Sequence, residues 1–225
     1  MMLRYLDSDT YVLKKMNISL LLKLPSFKDT WLFNCSEGSQ FNLLNNSFKI
    51  NNLSKIILPN LHISSISGLL GLLSTLNLMG RIKSLHIYAP IGLKYYLDLG
   101  KKYSKTNFSY ILYIHILTKG LIINHYGYRV YVSQFNAVYE FFIIQSEKYG
   151  TFNLDRAKRN YLLPGPLYGK LKQGFIFVLP DGFILNGSQF TSSNILGSQV
   201  SCLSSPFYRR SLIQIICKSR IILLM

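Results

Sequence analysis

Residues 54–90 carry the pattern that most limits the fold. SKIILPN (54–60) is a short apolar run halted by Pro59 and reads as a buried strand. Leucines then recur at helical spacing over residues 68–79, with Ser64, Ser65 and Ser67 placed to cap that helix. SLHIYAP (84–90) is strand-like again, and a short helix is expected from Gly92. Similar segments flank this unit. NISLLLKL (17–24) and TWLFNC (30–35) read as strands, and FNLLNN (41–46) as a short helical stretch. Residues 111–144, rich in Ile, Tyr, Val and Phe, predict successive strands. FIFVLPDGFIL (175–185) predicts a hairpin turning at Pro180-Asp181-Gly182, and residues 211–225 one more apolar strand. Strands on both sides of helices imply a layered α/β protein, with sheet packed on sheet and helices outside.

A chain of 225 residues, 49% hydrophobic and 15% charged, is long enough and apolar enough for one real core, or at most two small domains. Its charge is lopsided: 25 Lys and Arg stand against 9 Asp and Glu, a net +16 with a pI near 9.8. Such an excess favours a polyanionic partner, with nucleic acid the preferred reading. Cys35, Cys202 and Cys217 are far apart and form no C-x-x-C pair, which argues against a disulfide framework or a cysteine zinc site and suits a reducing compartment. The start, MMLRYLDSDTYV, is no signal peptide. The longest apolar stretch, Gly68–Gly80, is too short to span a bilayer, so a soluble protein with no membrane partner is expected. Ile, Asn, Lys, Tyr and Leu are prominent; their codons are AT-rich, as in an organelle genome. No phosphate-binding glycine loop and no serine-nucleophile elbow occurs.

Four stretches, in order, resemble ribonuclease Z, the tRNA 3′-processing endonuclease of the metallo-β-lactamase superfamily. WLFNCSEGSQ (31–40), with Glu37, Gly38 and Gln40, is similar to the family's W-L-F-D-C-G-E-G-T-Q. KIILPNLHISSISGLLGLLST (55–75), with Gly68, is similar to its I-F-I-T-H-L-H-G-D-H-I-x-G-L-P-G-L-L-S-T. IYAPIGL (87–93) is similar to I-Y-G-P-x-G-L, and LPGPLYGKLKQG (163–174), with Gly165, Pro166 and Gly169, to P-P-G-P-L-Y-G-K-L-K-x-G. The resemblance implies an αββα sandwich of two mixed sheets, here incomplete at the C-terminus, as a single domain over 1–225. It also implies two zinc ions bridging a hydroxide that attacks a phosphodiester, a tRNA precursor as substrate, homodimers, and a basic substrate-gripping arm, here residues 147–174. A degenerate, shortened, plastid-encoded member is expected, in the chloroplast stroma or otherwise the cytoplasm.

The departures fall on the metal ligands. In the family's H-x-H-x-D-H, neutral imidazoles bind zinc, and the aspartate binds the second ion and can accept a proton. Here these positions hold Asn60, His62, Ser64 and Ser65. The next ligand falls near Asn136 and the bridging aspartate near Ser205. The family's I-H-E-x-T aligns with ICKSR, putting Cys217 and Lys218 at its His and Glu. Only His62 keeps a ligand residue, as a weak one, and neutral Asn and Ser cannot offset two dications. No bound zinc is therefore expected. His62 is read as a loop histidine bonded to a backbone carbonyl, and Ser64 and Ser65 as helix caps.

The basic segment is the best-kept functional feature. Lys148, Arg156, Lys158, Arg159, Lys170 and Lys172 are interleaved with Tyr149, Phe152, Tyr161 and Tyr168, a composition suited to gripping RNA. Gly165-Pro166 and Gly169 are expected to hinge an extended arm without helix. Three functions follow: a non-catalytic tRNA-binding relative that acts alone or pairs with an active subunit; an active endonuclease with an atypical site; or the non-functional product of a decaying gene.

Overall fold

The computed structural model describes residues 2–3, 11–14, 19–24, 28–45, 48–125, 127–135, 138–147, 150–193, 196–203, 219 and 221–224. They divide into two compact units. The larger comprises residues 1–124, 129–143 and 199–225, and the smaller residues 125–128 and 144–198.

The larger unit contains a six-stranded mixed sheet. Its strands are β1 (Met2–Leu3), β3 (Leu20–Leu24), β4 (Asp29–Phe33), β5 (Leu53–Ile57), β6 (Leu85–Ala89) and β7 (Leu112–Ile116), hydrogen-bonded in that order. The β3–β4 pair is antiparallel, whereas β4, β5, β6 and β7 run parallel. A second sheet has the order β2 (Tyr11–Lys14), β14 (Ile221–Leu224), β13 (Ser198–Leu203), β10 (Val138–Gln145), β9 (Tyr128–Phe135) and β8 (Gly120–His125). The Phe33 and Phe141 rings, one from each sheet, meet edge to face at 5.8 Å. The strand expected over 211–225 is represented by β14; residues 204–218, 220 and 225 lie outside the described residues.

Helices α1 (Ser39–Asn45), α2 (Ile63–Ile66), α3 (Leu69–Leu78) and α4 (Leu93–Ser104) belong to the larger unit. Leu69, Leu72, Leu73 and Leu76 of α3 are fully buried at helical spacing against Leu32, Ile56 and Ile87 of the first sheet. Burying each such side chain stabilises the fold by roughly 1.5–3 kcal/mol over leaving it exposed. The expected serine caps do not form. Ser67 and Gly68 are already in the right-handed helical region as the α2 turn runs into α3, and no side chain caps either helix. A capping hydroxyl needs an extended cap residue, which α3 lacks.

The smaller unit holds α5 (Leu154–Arg159), α6 (Pro166–Lys172), the antiparallel hairpin β11 (Ile176–Val178) and β12 (Ile184–Asn186), and α7 (Gly187–Phe190). The hairpin turns where expected, at residues 179–183, with Gly182 at φ 80°. The expectation of an arm without helix is corrected. Asn153 is extended and its Oδ1 accepts the Arg156 amide at 3.2 Å, capping α5. Pro166 starts α6, where its missing N–H costs nothing. Both short helices persist because Ala157 and Leu171 bury one face of each with Leu185 and Phe190. Among the described residues, no helix is long and apolar enough to cross a membrane.

Candidate functional site

The carboxyl ends of parallel strands β4, β5 and β6 converge on one loop system, the usual place for a ligand site in such sheets. Asn34, just past β4, donates its amide to the Ile57 carbonyl at 2.9 Å, and Leu58 donates to Tyr88 at 2.8 Å. The Cys35 amide donates to the Ser65 carbonyl at 3.0 Å, and the Gly68 amide returns to the Cys35 carbonyl at 3.1 Å. The second sheet joins through the Tyr139 amide, which donates to the Pro59 carbonyl at 3.2 Å. Residues 58–68 are thus pinned from three strands.

Beside this loop, the Ser19, Ser36 and Ser39 hydroxyls form a small network, with Ser19 Oγ 2.8 Å from Ser36 Oγ and 3.0 Å from Ser39 Oγ. Ser39 Oγ also donates to the Ser36 carbonyl at 2.6 Å. Burial pushes the adjacent Cys35 thiol up to about 12, with Ser39 opposing the rise, so it is no nucleophile at neutral pH. An open cleft of about 320 Å³ is lined by Ser36, Glu37, Ile63, Ser64 and Ser67. Glu37, singled out in the sequence only as a motif residue, is the one acid facing this cleft among its lining residues.

His62 is exposed at the start of α2. Its backbone amide donates to Asn60 Oδ1 at 3.1 Å, and its imidazole makes no hydrogen bond to the described residues, so the expected carbonyl bond is absent. Ser64 is half-buried on the cleft wall. Ser65 is buried, and its backbone, through Cys35 and His62, ties the loop together.

The residues at the family's metal positions do not fit a pair of zinc ions. One imidazole, one carboxamide already accepting a backbone amide, and two hydroxyls supply no anionic donor. Among the described residues, no three His, Cys, Asp or Glu side chains are placed to share an ion. Asn136, Ser205, Cys217 and Lys218 lie outside the described residues.

The motif glycines are explained by space. A Cβ on Gly68 would collide with the Ser36 carbonyl, and one on Gly71 would lie 2.8 Å from Gln40 Oε1. Gln40 Oε1 also accepts from Thr75 Oγ1 at 3.2 Å, tying α1 to α3. Gly38, at φ 72°, turns the chain from β4 into α1.

In the smaller unit, Lys158, Arg159, Lys170 and Lys172 are exposed. Arg156 is exposed too, but its Nη1 donates to the Gln189 carbonyl at 2.9 Å. Tyr168 is half-buried: its ring packs on Phe152 at 4.8 Å, and its hydroxyl donates to the Leu162 carbonyl at 2.6 Å. It holds the loop between the helices. Gly165 begins α6 in an extended conformation, and Gly169 lies inside that helix with open space around it. Lys148 and Tyr149 lie outside the described residues.

Two six-stranded sheets with edge-to-face contact between them, and a loop site at the ends of parallel strands, define a protein of the metallo-β-lactamase fold. Human tRNase Z, short form, superposes with a TM-score of 0.50 at 22% identity, covering 56% of this chain and 57% of that one. No model of a protein family matches the chain. The chain is 40% identical to the uncharacterized protein ycf56 of Pyropia yezoensis, over 80% of this chain and 69% of that protein. It is 34% identical to ribonuclease Z of Trichodesmium erythraeum, over 84% of this chain and 60% of that protein, and 31% identical to ribonuclease Z of a Nostoc species over the same shares. It therefore belongs to the ycf56 family of ribonuclease Z-related proteins. The chain spans about three fifths of the length of the ribonuclease Z relatives it matches.

Proposed function

We propose that this chain is a tRNA-precursor-binding relative of ribonuclease Z whose own metal-dependent cleavage is impaired. One observation carries the reading: where the family resemblance puts two imidazoles, an aspartate and a third imidazole, this chain has a single exposed imidazole and no carboxylate. Zinc would supply a hydroxide nucleophile and a Lewis acid in such a fold, and these residues would hold it poorly.

The gripping role falls to the smaller unit. Lys158, Arg159, Lys170 and Lys172 project into solvent from two short helices with a shared core, so the cations are presented on a frame rather than on a free strand. Phosphate contacts of this kind position RNA without reading sequence. The net charge of +16 adds long-range attraction for the polyanion. A homodimer, or pairing with an active subunit, would let these cations serve a partner's active site. The codon-linked composition and the ycf56 relatives support a plastid location.

The test is a cleavage assay on a tRNA precursor with a 3′ trailer, with zinc or manganese, run beside His62→Ala. A gel shift without trailer removal is the expected result. Metal-dependent cleavage lost in His62→Ala overturns the impairment. Neither cleavage nor shift overturns the binding role and favours a product without function.

A further inference from the structure

Strand β7 is an outer edge of the first sheet, and no described strand pairs with its far side. Its residues stay in regular parallel register with β6 from Leu112 to Ile116. The Ile111 carbonyl accepts the Leu85 amide, and the Leu117 amide donates to the Ala89 carbonyl, both at 2.9 Å. Backbone groups alternate along a strand, so Tyr113 and His115 also bond inward to β6. Leu112, Ile114 and Ile116 therefore point their amides and carbonyls outward. Proteins that stay monomeric blunt such an edge with lysine, proline, a bulge or a very short strand. The opposite edge, β1, is two residues long. β7 has none of these devices: residues 106–118 hold no Lys, Arg, Asp, Glu or Pro, in a chain with 25 Lys and Arg.

The side chains leave this edge apolar. On one face, Leu112, Ile114 and Ile116 continue the row of Leu85, Ile87 and Ala89, yet Ile114 and Ile116 remain 36% and 58% exposed. On the other face His86 stands opposite Tyr113 and Tyr88 opposite His115, their rings stacked at 4.9 and 4.6 Å. His86 Nδ1 lies 3.0 Å from His115 Nε2, so a hydrogen bond between the imidazoles braces the two strands.

The edge is complementary to itself. A two-fold axis through Ile114 sets that residue against Ile114 of a second copy, Leu112 against Ile116, and Tyr113 against His115. All three outward-facing residues then fall in hydrogen-bonded pairs, about six backbone bonds in total. The tyrosine-on-imidazole pairing already made between β6 and β7 is repeated across the axis, and no cation of the strand meets another. The geometry points to β7 as a self-pairing edge, to which a second copy of this chain adds antiparallel, centred on Ile114, joining two first sheets into one. This gives the homodimer of the proposed function a surface, but it rests on the strand edge alone.

The test is sedimentation of the full chain, without RNA, in salt that screens the +16 on each copy. A monomer–dimer equilibrium is expected at micromolar protein. Ile114→Lys opposes two cations at the axis and should weaken the dimer by about tenfold or more, with a melt that stays cooperative. Under mild oxidation Ile114→Cys should give a disulfide-linked dimer, because the paired Cα atoms lie about 5.5 Å apart, within bridging range. Ile116→Cys is more exposed but would sit about 13 Å from its counterpart, and should not cross-link. A monomer at every concentration overturns the proposal. So does a dimer that Ile114→Lys leaves intact, or an Ile116→Cys variant that cross-links as readily as Ile114→Cys. With no RNA present, each outcome is independent of tRNA-precursor binding.

Discussion

The amide of Gly68 donates to the carbonyl of Cys35 at 3.1 Å, so the start of α3 is latched directly onto the exit of β4. The latch leaves no room for a side chain, because a Cβ on Gly68 would collide with the neighbouring Ser36 carbonyl. Backbone sits on both sides of the contact, and neither can swing away. Gly68→Ala should destabilise the larger unit by about 1–3 kcal/mol, the usual cost of overpacking a tight contact. The measurement is the urea midpoint of the variant against the wild type, and an unchanged midpoint would mean the latch is loose in solution.

Arg81 is buried without a carboxylate partner among the described residues. Its guanidinium donates instead to the Lys83 carbonyl at 2.7 Å, the Ser84 carbonyl at 2.8 Å and the Asn51 carbonyl at 3.4 Å, with the Tyr110 ring 5.5 Å away. It closes the turn between α3 and β6 by gathering three backbone carbonyls around one guanidinium. Arg81→Met keeps much of the volume and removes the donors. A loss of about 2–3 kcal/mol is expected, and Arg81→Lys should recover only part of it, since one ammonium cannot span three carbonyls. Thermal melts of the three proteins decide this.

The larger unit was legible because its strands and α3 announce themselves by period: the α3 leucines and the β6 segment fall within a residue or two of expectation. The helices of the arm are not legible in its sequence, because Pro and Gly are local breakers only when nothing holds the turn. Here Ala157 and Leu171 lie 14 residues apart in sequence and share a core with Leu185 and Phe190, a tertiary effect that no local pattern carries. The serine caps failed for a similar reason, since the preceding turn had already made the chain helical. The His86–His115 contact joins residues 29 apart. It depends on the β6–β7 register, which neither segment encodes alone.

Gly169 tests the corrected arm. It lies in the interior of α6 with open space where a Cβ would go. Gly169→Ala should therefore stabilise the smaller unit by about 0.5–1 kcal/mol through helix propensity. An extended hinge would give no such gain, so a denaturant midpoint that stays put or falls would argue for the hinge.

His86 gives a pH dependence whose sign is fixed. Burial, then Lys55, then His115, lower its pKa below the ordinary histidine value of 6.5. A base with a depressed folded-state pKa favours the folded state least when it must carry a proton. The contribution is fully present above pH 6.5 and is lost as the pH falls through the lowered folded value. Urea midpoints should drop from pH 7.5 to pH 5, and His86→Gln should flatten that slope while leaving the remaining carboxylate dependence at lower pH.

The proposed RNA surface predicts a salt dependence. Each phosphate contact releases a counterion, and each contributes about 0.7–0.9 to the slope of log affinity against log salt. Lys158, Arg159, Lys170 and Lys172 are exposed, whereas Arg156 is committed to the Gln189 carbonyl. Replacing those four with Gln should lower the slope by about 3 if all four meet phosphate. Tyr168→Phe should act differently. It removes the hydroxyl bond to the Leu162 carbonyl and leaves the ring on Phe152, so its effect should appear in the melting temperature of the smaller unit and not in the salt slope. A quadruple variant with an unchanged slope would move RNA binding off these two helices, and a Tyr168→Phe variant that changed the slope without lowering the melt would make the tyrosine an RNA contact.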